Sequence, residues 1–188
     1  YGPETLVASY YGNLSMVQLL VDNGADVNAR SRLRRSVLNH SGNVNLIQLV
    51  IYNGADLNAQ GTNYGTPLVS ASSRGHEETV QLLLENGADV NDGDGQFDSP
   101  LVAAVSSGNE NIVQLLIENG AKVNLPLKFY GTVLAKAAHC GHATVVQLLI
   151  ENGADPGDYE TALVAASRAH HNHIVRLLVN NGADANVR

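Results

Sequence analysis

Residues 66–91 read TPLVSASSRGHEETVQLLLENGADVN, and two helices joined by a turn are legible in them. Thr66 suits a helix N-cap, because its hydroxyl accepts from an orphan amide. Pro67 at the first helical position forfeits a hydrogen bond that had no partner anyway. Leu68, Val69, Ser70, Ala71 and Ser72 carry the first helix onward. The second helix holds the block Thr79-Val80-Gln81-Leu82-Leu83-Leu84. Gly87 stops it, since glycine takes positive φ without strain. The Gly, Asn and Asp residues of 87–95 suit a tight hairpin.

The pattern recurs along all 188 residues. Asn-Gly-Ala returns with its glycine at 24, 54, 87, 120, 153 and 182, at intervals of 30, 33, 33, 33 and 29. The same apolar block precedes each glycine, from Met16-Val17-Gln18-Leu19-Leu20-Val21 to Ile174-Val175-Arg176-Leu177-Leu178-Val179. Its apolar positions form a wide stripe, as expected of a helix packed by neighbours on both flanks. Ser99-Pro100-Leu101, Thr132-Val133-Leu134 and Thr161-Ala162-Leu163 match the opening at Thr66, so Thr161 is expected to cap its helix as Thr66 does.

Two helices and a β-turn per 33 residues, with TPLV, SPLV and GADVN, resemble the ankyrin repeat. The resemblance covers the whole chain in six copies: about 1–30, 31–60, 61–93, 94–126, 127–155 and 156–188. It implies an all-α repeat solenoid of stacked helix-turn-helix units with β-hairpin loops, forming a single array. The recurring Tyr-Gly-Thr-x-Leu opening also resembles the long ankyrin arrays of fungal multidomain proteins. One departure stands out. The histidine of the family's TPLH is replaced by Val69, Val102, Ala135 and Val164 in the four best copies, so an apolar contact is expected where the family has an imidazole hydrogen bond.

Two intervals are short. Asp155-Pro156-Gly157-Asp158-Tyr159 implies a hairpin clipped by four residues between repeats five and six. Repeat two lacks three residues. The aromatic register of Tyr64, Phe97 and Tyr130 locates that loss after Leu38, inside the first helix, which must shrink to little more than a turn unless the hairpin absorbs it. The last copy keeps Leu163, Ala165, Ala166, Ile174, Val175, Leu177 and Leu178, where a terminal unit would become polar. The array is therefore expected to be a fragment of a longer one, or to be covered at this end.

Composition narrows the function. A charge of -7 and a pI near 5.4 argue against general nucleic-acid binding. No segment approaches the roughly 18 apolar residues of a membrane span. The single cysteine, Cys140, cannot form an internal disulfide, so a reducing compartment, cytoplasmic or nuclear, is expected. No nucleophile elbow, phosphate-cradling glycine loop or paired-acid constellation is present, and no enzyme is expected. Zinc needs several ligands converging at about 2 Å. Stacked repeats hold equivalent positions about 10 Å apart, so His170, His171 and His173 make a weak metal site at most. No cofactor is expected.

Relatives of this family bind proteins through the hairpin tips and the exposed end of the first helix. Carried onto this sequence, that surface comprises Tyr10 and Tyr11, then Arg32, Arg34 and Arg35, then Tyr64, Arg74 and Phe97. It continues with Lys128, Phe129, Tyr130 and His139, and ends with Tyr159 and Arg168. Tyr64, Phe97, Tyr130 and Tyr159 follow the period and read as a packing ladder or as contacts. Phe129, Tyr10 and Tyr11 ignore the period and read as contacts. The arginine cluster is either a site for an acidic segment or a solvated irregular loop. The function expected is recognition of a partner protein, or of another domain of the parent chain, along the concave face. The other reading is a spacer or regulatory segment.

Overall fold

The computed structural model describes residues 4–30, 36–40, 42–61, 65–93 and 99–186. The chain divides into two compact units, Tyr1–Pro100 and Leu101–Arg188. In the first, α1 (Glu4–Tyr10) pairs with α2 (Leu14–Asp22), α3 (Val37–His40) with α4 (Val44–Tyr52), and α5 (Pro67–Arg74) with α6 (Glu77–Glu85). First helices pack on first helices, α1 on α3 and α3 on α5, while α2, α4 and α6 form a second row. The second unit continues from α7 (Pro100–Ser107) through α8 (Glu110–Glu118), α9 (Val133–Cys140), α10 (Ala143–Glu151), α11 (Tyr159–Arg168) and α12 (Asn172–Asn180). There α9 packs on α11, and α8, α10 and α12 stack in turn. Each unit is a stretch of all-α repeat solenoid.

The tripeptide Asn-Gly-Ala has a specific geometry behind it. At the end of α2, Asn23 is the C-cap, and its side-chain amide donates to the Leu19 carbonyl at 2.8 Å. Gly24 has φ +85°, and its N–H donates to the Val21 carbonyl at 2.9 Å. The Ala25 N–H donates to the Leu20 carbonyl at 2.9 Å. These are the two crossed bonds of a Schellman motif, which satisfies carbonyls that the helix leaves orphaned. The same arrangement closes α6, through Asn86, Gly87 and Ala88, and α10, through Asn152, Gly153 and Ala154.

The helix starts follow two different rules. Thr66 and Thr132 cap α5 and α9 by accepting from the amides of Val69 and Ala135 at 3.4 and 3.1 Å. Thr161 does not. The clipped link folds as a 3₁₀ turn, Pro156–Asp158, and α11 begins at Tyr159 with Asp158 at its N-cap, so Thr161 lies inside a ten-residue helix. Tyr159 is drawn into the first turn and is 8% exposed, which removes it from the expected contact surface. Of the expected hairpins, one forms a ladder among the described residues: β1 (Pro126–Leu127) pairs antiparallel with β2 (Gly131–Thr132).

In repeat two, α3 has four residues where α5 and α9 have eight. Its helix buries Val37 and Leu38, and Asn39 supplies polar contacts in place of missing apolar ones. The Asn39 side-chain amide donates to the Gly65 carbonyl at 2.9 Å, and the Asn39 backbone carbonyl accepts from the Ser70 hydroxyl at 2.9 Å. Ser36 bonds the Asn39 side-chain oxygen. The core elsewhere is mostly apolar, with Thr5, Ser9, Thr66, Ser70, Ser72, Thr79 and Ser99 also buried. Val69, Val102 and Ala135, which stand where the family has histidine, are buried. In the last pair, Leu163, Ala166, Ile174 and Leu178 are buried against their neighbours, and Val179 is the one large apolar side chain there among the exposed set. The first repeat exposes more, with Val7, Leu14, Met16 and Leu19 all above a third.

Candidate partner-binding groove

Side chains at the turns and helix starts tie neighbouring repeats together. Asn124 bridges two hairpin turns of the second unit. Its side-chain amide donates to the Gly153 carbonyl at 2.9 Å, and its oxygen accepts from the Asp155 N–H at 3.1 Å. Asn28 does the same for Gly54 and Asp56 in the first unit. A second link uses histidine. His142 and His171 stand at the N-caps of α10 and α12 but make no side-chain cap bond. Their rings reach the first helix of the preceding repeat, placing Nε2 3.4 Å from the Ser106 carbonyl on α7 and 3.1 Å from the His139 carbonyl on α9. Glycines make room for the rings, as a Cβ at Gly108 or Gly141 would lie 2.6 or 2.7 Å from the imidazole. His76 takes the matching place beside Gly42. Nothing in the local sequence states that these rings join repeats.

On this frame the second unit forms a groove of about 620 Å³ between the hairpin at 126–132 and the paired first helices α9 and α11. Phe129, Tyr130 and Gly131 line it from the hairpin, His139 from α9, and Glu160, Thr161, Val164, Ala165 and Arg168 from α11. The clipped link explains the opening. A 3₁₀ turn precedes α11, so the first turn of that helix lies open and Glu160 and Thr161 face the groove. Phe129 is 84% exposed, with the Lys128 ammonium 5.6 Å from its ring centre. Tyr130 is half-buried. The Lys136 ammonium stands 4.0 Å from its ring centre and the His139 ring 5.2 Å away. Burial, and then the neighbouring Asp155 carboxylate, push Asp158 above the usual carboxylate range at the start of α11.

Five of the sequence candidates therefore meet in one place: Lys128, Phe129, Tyr130, His139 and Arg168. Tyr10 and Tyr11 form a second cluster in the first unit. Their rings pack edge to face at 5.4 Å, and they are 68% and 78% exposed. Arg74 is exposed in the last turn of α5. Arg32, Arg34, Arg35, Tyr64 and Phe97 lie outside the described residues. Arg30, the described member of the basic stretch, is used structurally. It donates to the Gln60 carbonyl at 3.1 Å and lies 3.8 Å from the Asp56 carboxylate.

The sequence reading passed over Lys136, Glu160 and Thr161. It also missed Tyr52, which is 89% exposed. A signal for Tyr52 was available. The glutamines of α2, α6, α8 and α10 each bond an acid four residues on, Asp22, Glu85, Glu118 or Glu151, and Tyr52 stands in that place after Gln48. Among the described residues no three His, Cys, Asp or Glu side chains gather to hold a metal ion.

A family model of ankyrin repeats in three copies matches residues 33–126 and 123–188, and a single-repeat model matches 6–32. The chain belongs to the ankyrin repeat family. Ankyrin repeats are in general protein–protein interaction modules, on a scaffold that typically performs no catalysis. Among solved structures, the chain is similar to the human ASB11 ankyrin repeat domain, with 28% identity and a TM-score of 0.88 over 98% of this chain and 86% of that one. No curated protein matches it.

Proposed function

We propose that this ankyrin array recognises a partner protein, or another domain of its parent chain, through the groove beside Phe129 on the concave face of the second unit. The observation that carries this reading is Phe129 itself. A soluble array gains nothing for its own stability from a phenyl ring 84% exposed, and this one borders a groove with an arginine and a histidine on its walls. The lone Cys140, free of any disulfide, supports a cytoplasmic or nuclear location.

Capture from cell extract tests the reading, with the native chain compared against Phe129→Ala. Truncating an aromatic anchor at an interface costs about tenfold or more in affinity. A partner retained by the native chain and lost by the variant is the expected result. A partner held equally by both places the interface elsewhere and sinks the groove reading. Capture of nothing by either favours a spacer role.

A further inference from the structure

The groove is electrically polarised. Arg168 and His139 occupy matching positions in the last turns of α11 and α9 and stand together at one end. Glu160 lies at the other, in the first turn of α11, with Asp158 just before it. The eight helical steps from Glu160 to Arg168 span about 12 Å, the reach of roughly four residues of extended chain. Among the described residues no carboxylate pairs with Arg168 or Lys128. In a chain of net charge -7, these uncompensated cations are set around an exposed phenyl ring.

The geometry points to a short extended segment of a partner protein that carries an acidic side chain close to an apolar one. This rests on the groove being the binding face, as proposed above. The acid sits at Arg168 and His139, where a planar guanidinium can hold a carboxylate through two parallel hydrogen bonds. The apolar side chain packs on Phe129, Val164 and Ala165. Glu160 sets the direction, because an acid placed at its end meets a like charge. A basic segment is disfavoured at the far end by Arg168 and beside Phe129 by Lys128. Nucleic acid is disfavoured by the same Glu160 and by the acidic chain as a whole.

Three synthetic peptides test this, titrated into the isotope-labelled full chain with amide NMR as readout. Each carries a leucine beside two aspartates, two asparagines or two lysines, and each is made in both chain orders. The aspartate peptide is expected to bind about tenfold more tightly than the asparagine peptide, the factor of one charge-assisted contact. Its shifts should centre on Phe129, His139 and Arg168. Arg168→Gln should abolish most of that preference, and Arg168→Glu should transfer it to the lysine peptide. Arg168 is exposed, and unchanged helicity and melting temperature confirm that each variant folds. Equal binding of the aspartate and asparagine peptides, still lost on Phe129→Ala, overturns the acidic occupant and leaves the groove standing. Shifts outside the groove with all three peptides, or none at all, overturn both.

Discussion

At Gly141 the backbone has φ +85°, and a Cβ there would lie 2.7 Å from the His171 ring. Both facts demand glycine, for different reasons. The first is local strain, about 1–2 kcal/mol for an L side chain. The second is tertiary, since a methyl group would displace the ring that bonds the His139 carbonyl. Gly120 has the same φ requirement at +88° but nothing within 4 Å of a Cβ. Gly141→Ala is therefore expected to cost about 1 kcal/mol more than Gly120→Ala, the worth of one hydrogen bond. Urea denaturation measures both, and equal losses would show that the His171 contact contributes nothing. His76 offers a pH test. Burial, and then the Arg74 guanidinium, hold it below the ordinary imidazole value of 6.5. As pH falls through that value the unfolded chain takes up the proton first, so stability is full above it and declines below, until the lower folded value is reached. The melting temperature should fall between pH 7.5 and pH 5.5, and His76→Asn should flatten that fall.

Among the elements, the hairpin turns are tied to one another through asparagine rather than through strands. Asn124 makes two hydrogen bonds across a repeat boundary, just before the hairpin that carries Phe129 and Tyr130. Each such bond contributes about 0.5–1.5 kcal/mol net. Asn124→Ala should lower the stability of the second unit by about 1–2 kcal/mol, read as a shift in the denaturation midpoint at unchanged m-value. A shift near zero would mean that water replaces both bonds at no cost. The helices show the opposite division. The Thr66, Pro67 and Thr132 start signals and the Asn-Gly-Ala stop signals are local, and the sequence displayed them directly. Thr161 misled, because the four missing residues let α11 start earlier at Tyr159, and a cap signal acts only where the chain is still non-helical.

For the whole molecule, stability in a repeat array is close to a sum of units and their interfaces. The α3–α4 pair begins with a four-residue helix, and the α9–α10 pair with an eight-residue helix that buries Val133, Leu134, Ala135, Ala137 and Ala138. Amides of Val44–Tyr52 should exchange with deuterium about tenfold or more faster than those of Ala143–Glu151, which reflects a weaker local neighbour. The reverse order would show that the polar contacts of Asn39 fully offset the missing turn. The period, the helix pairs, the glycine stops and the family were legible in the sequence, because each is a short-range pattern repeated along the chain. The groove was legible only as a set of names. Phe129, Tyr130, His139 and Arg168 lie up to 39 positions apart, and nothing local states that they share a wall. The sequence by itself determined the repeat, because caps, turns and apolar stripes act within a few residues. Only the tertiary structure decided which side chains meet. Stacking one repeat on the next sets which rings and charges face each other, and the clipped link before α11 opens the space between them.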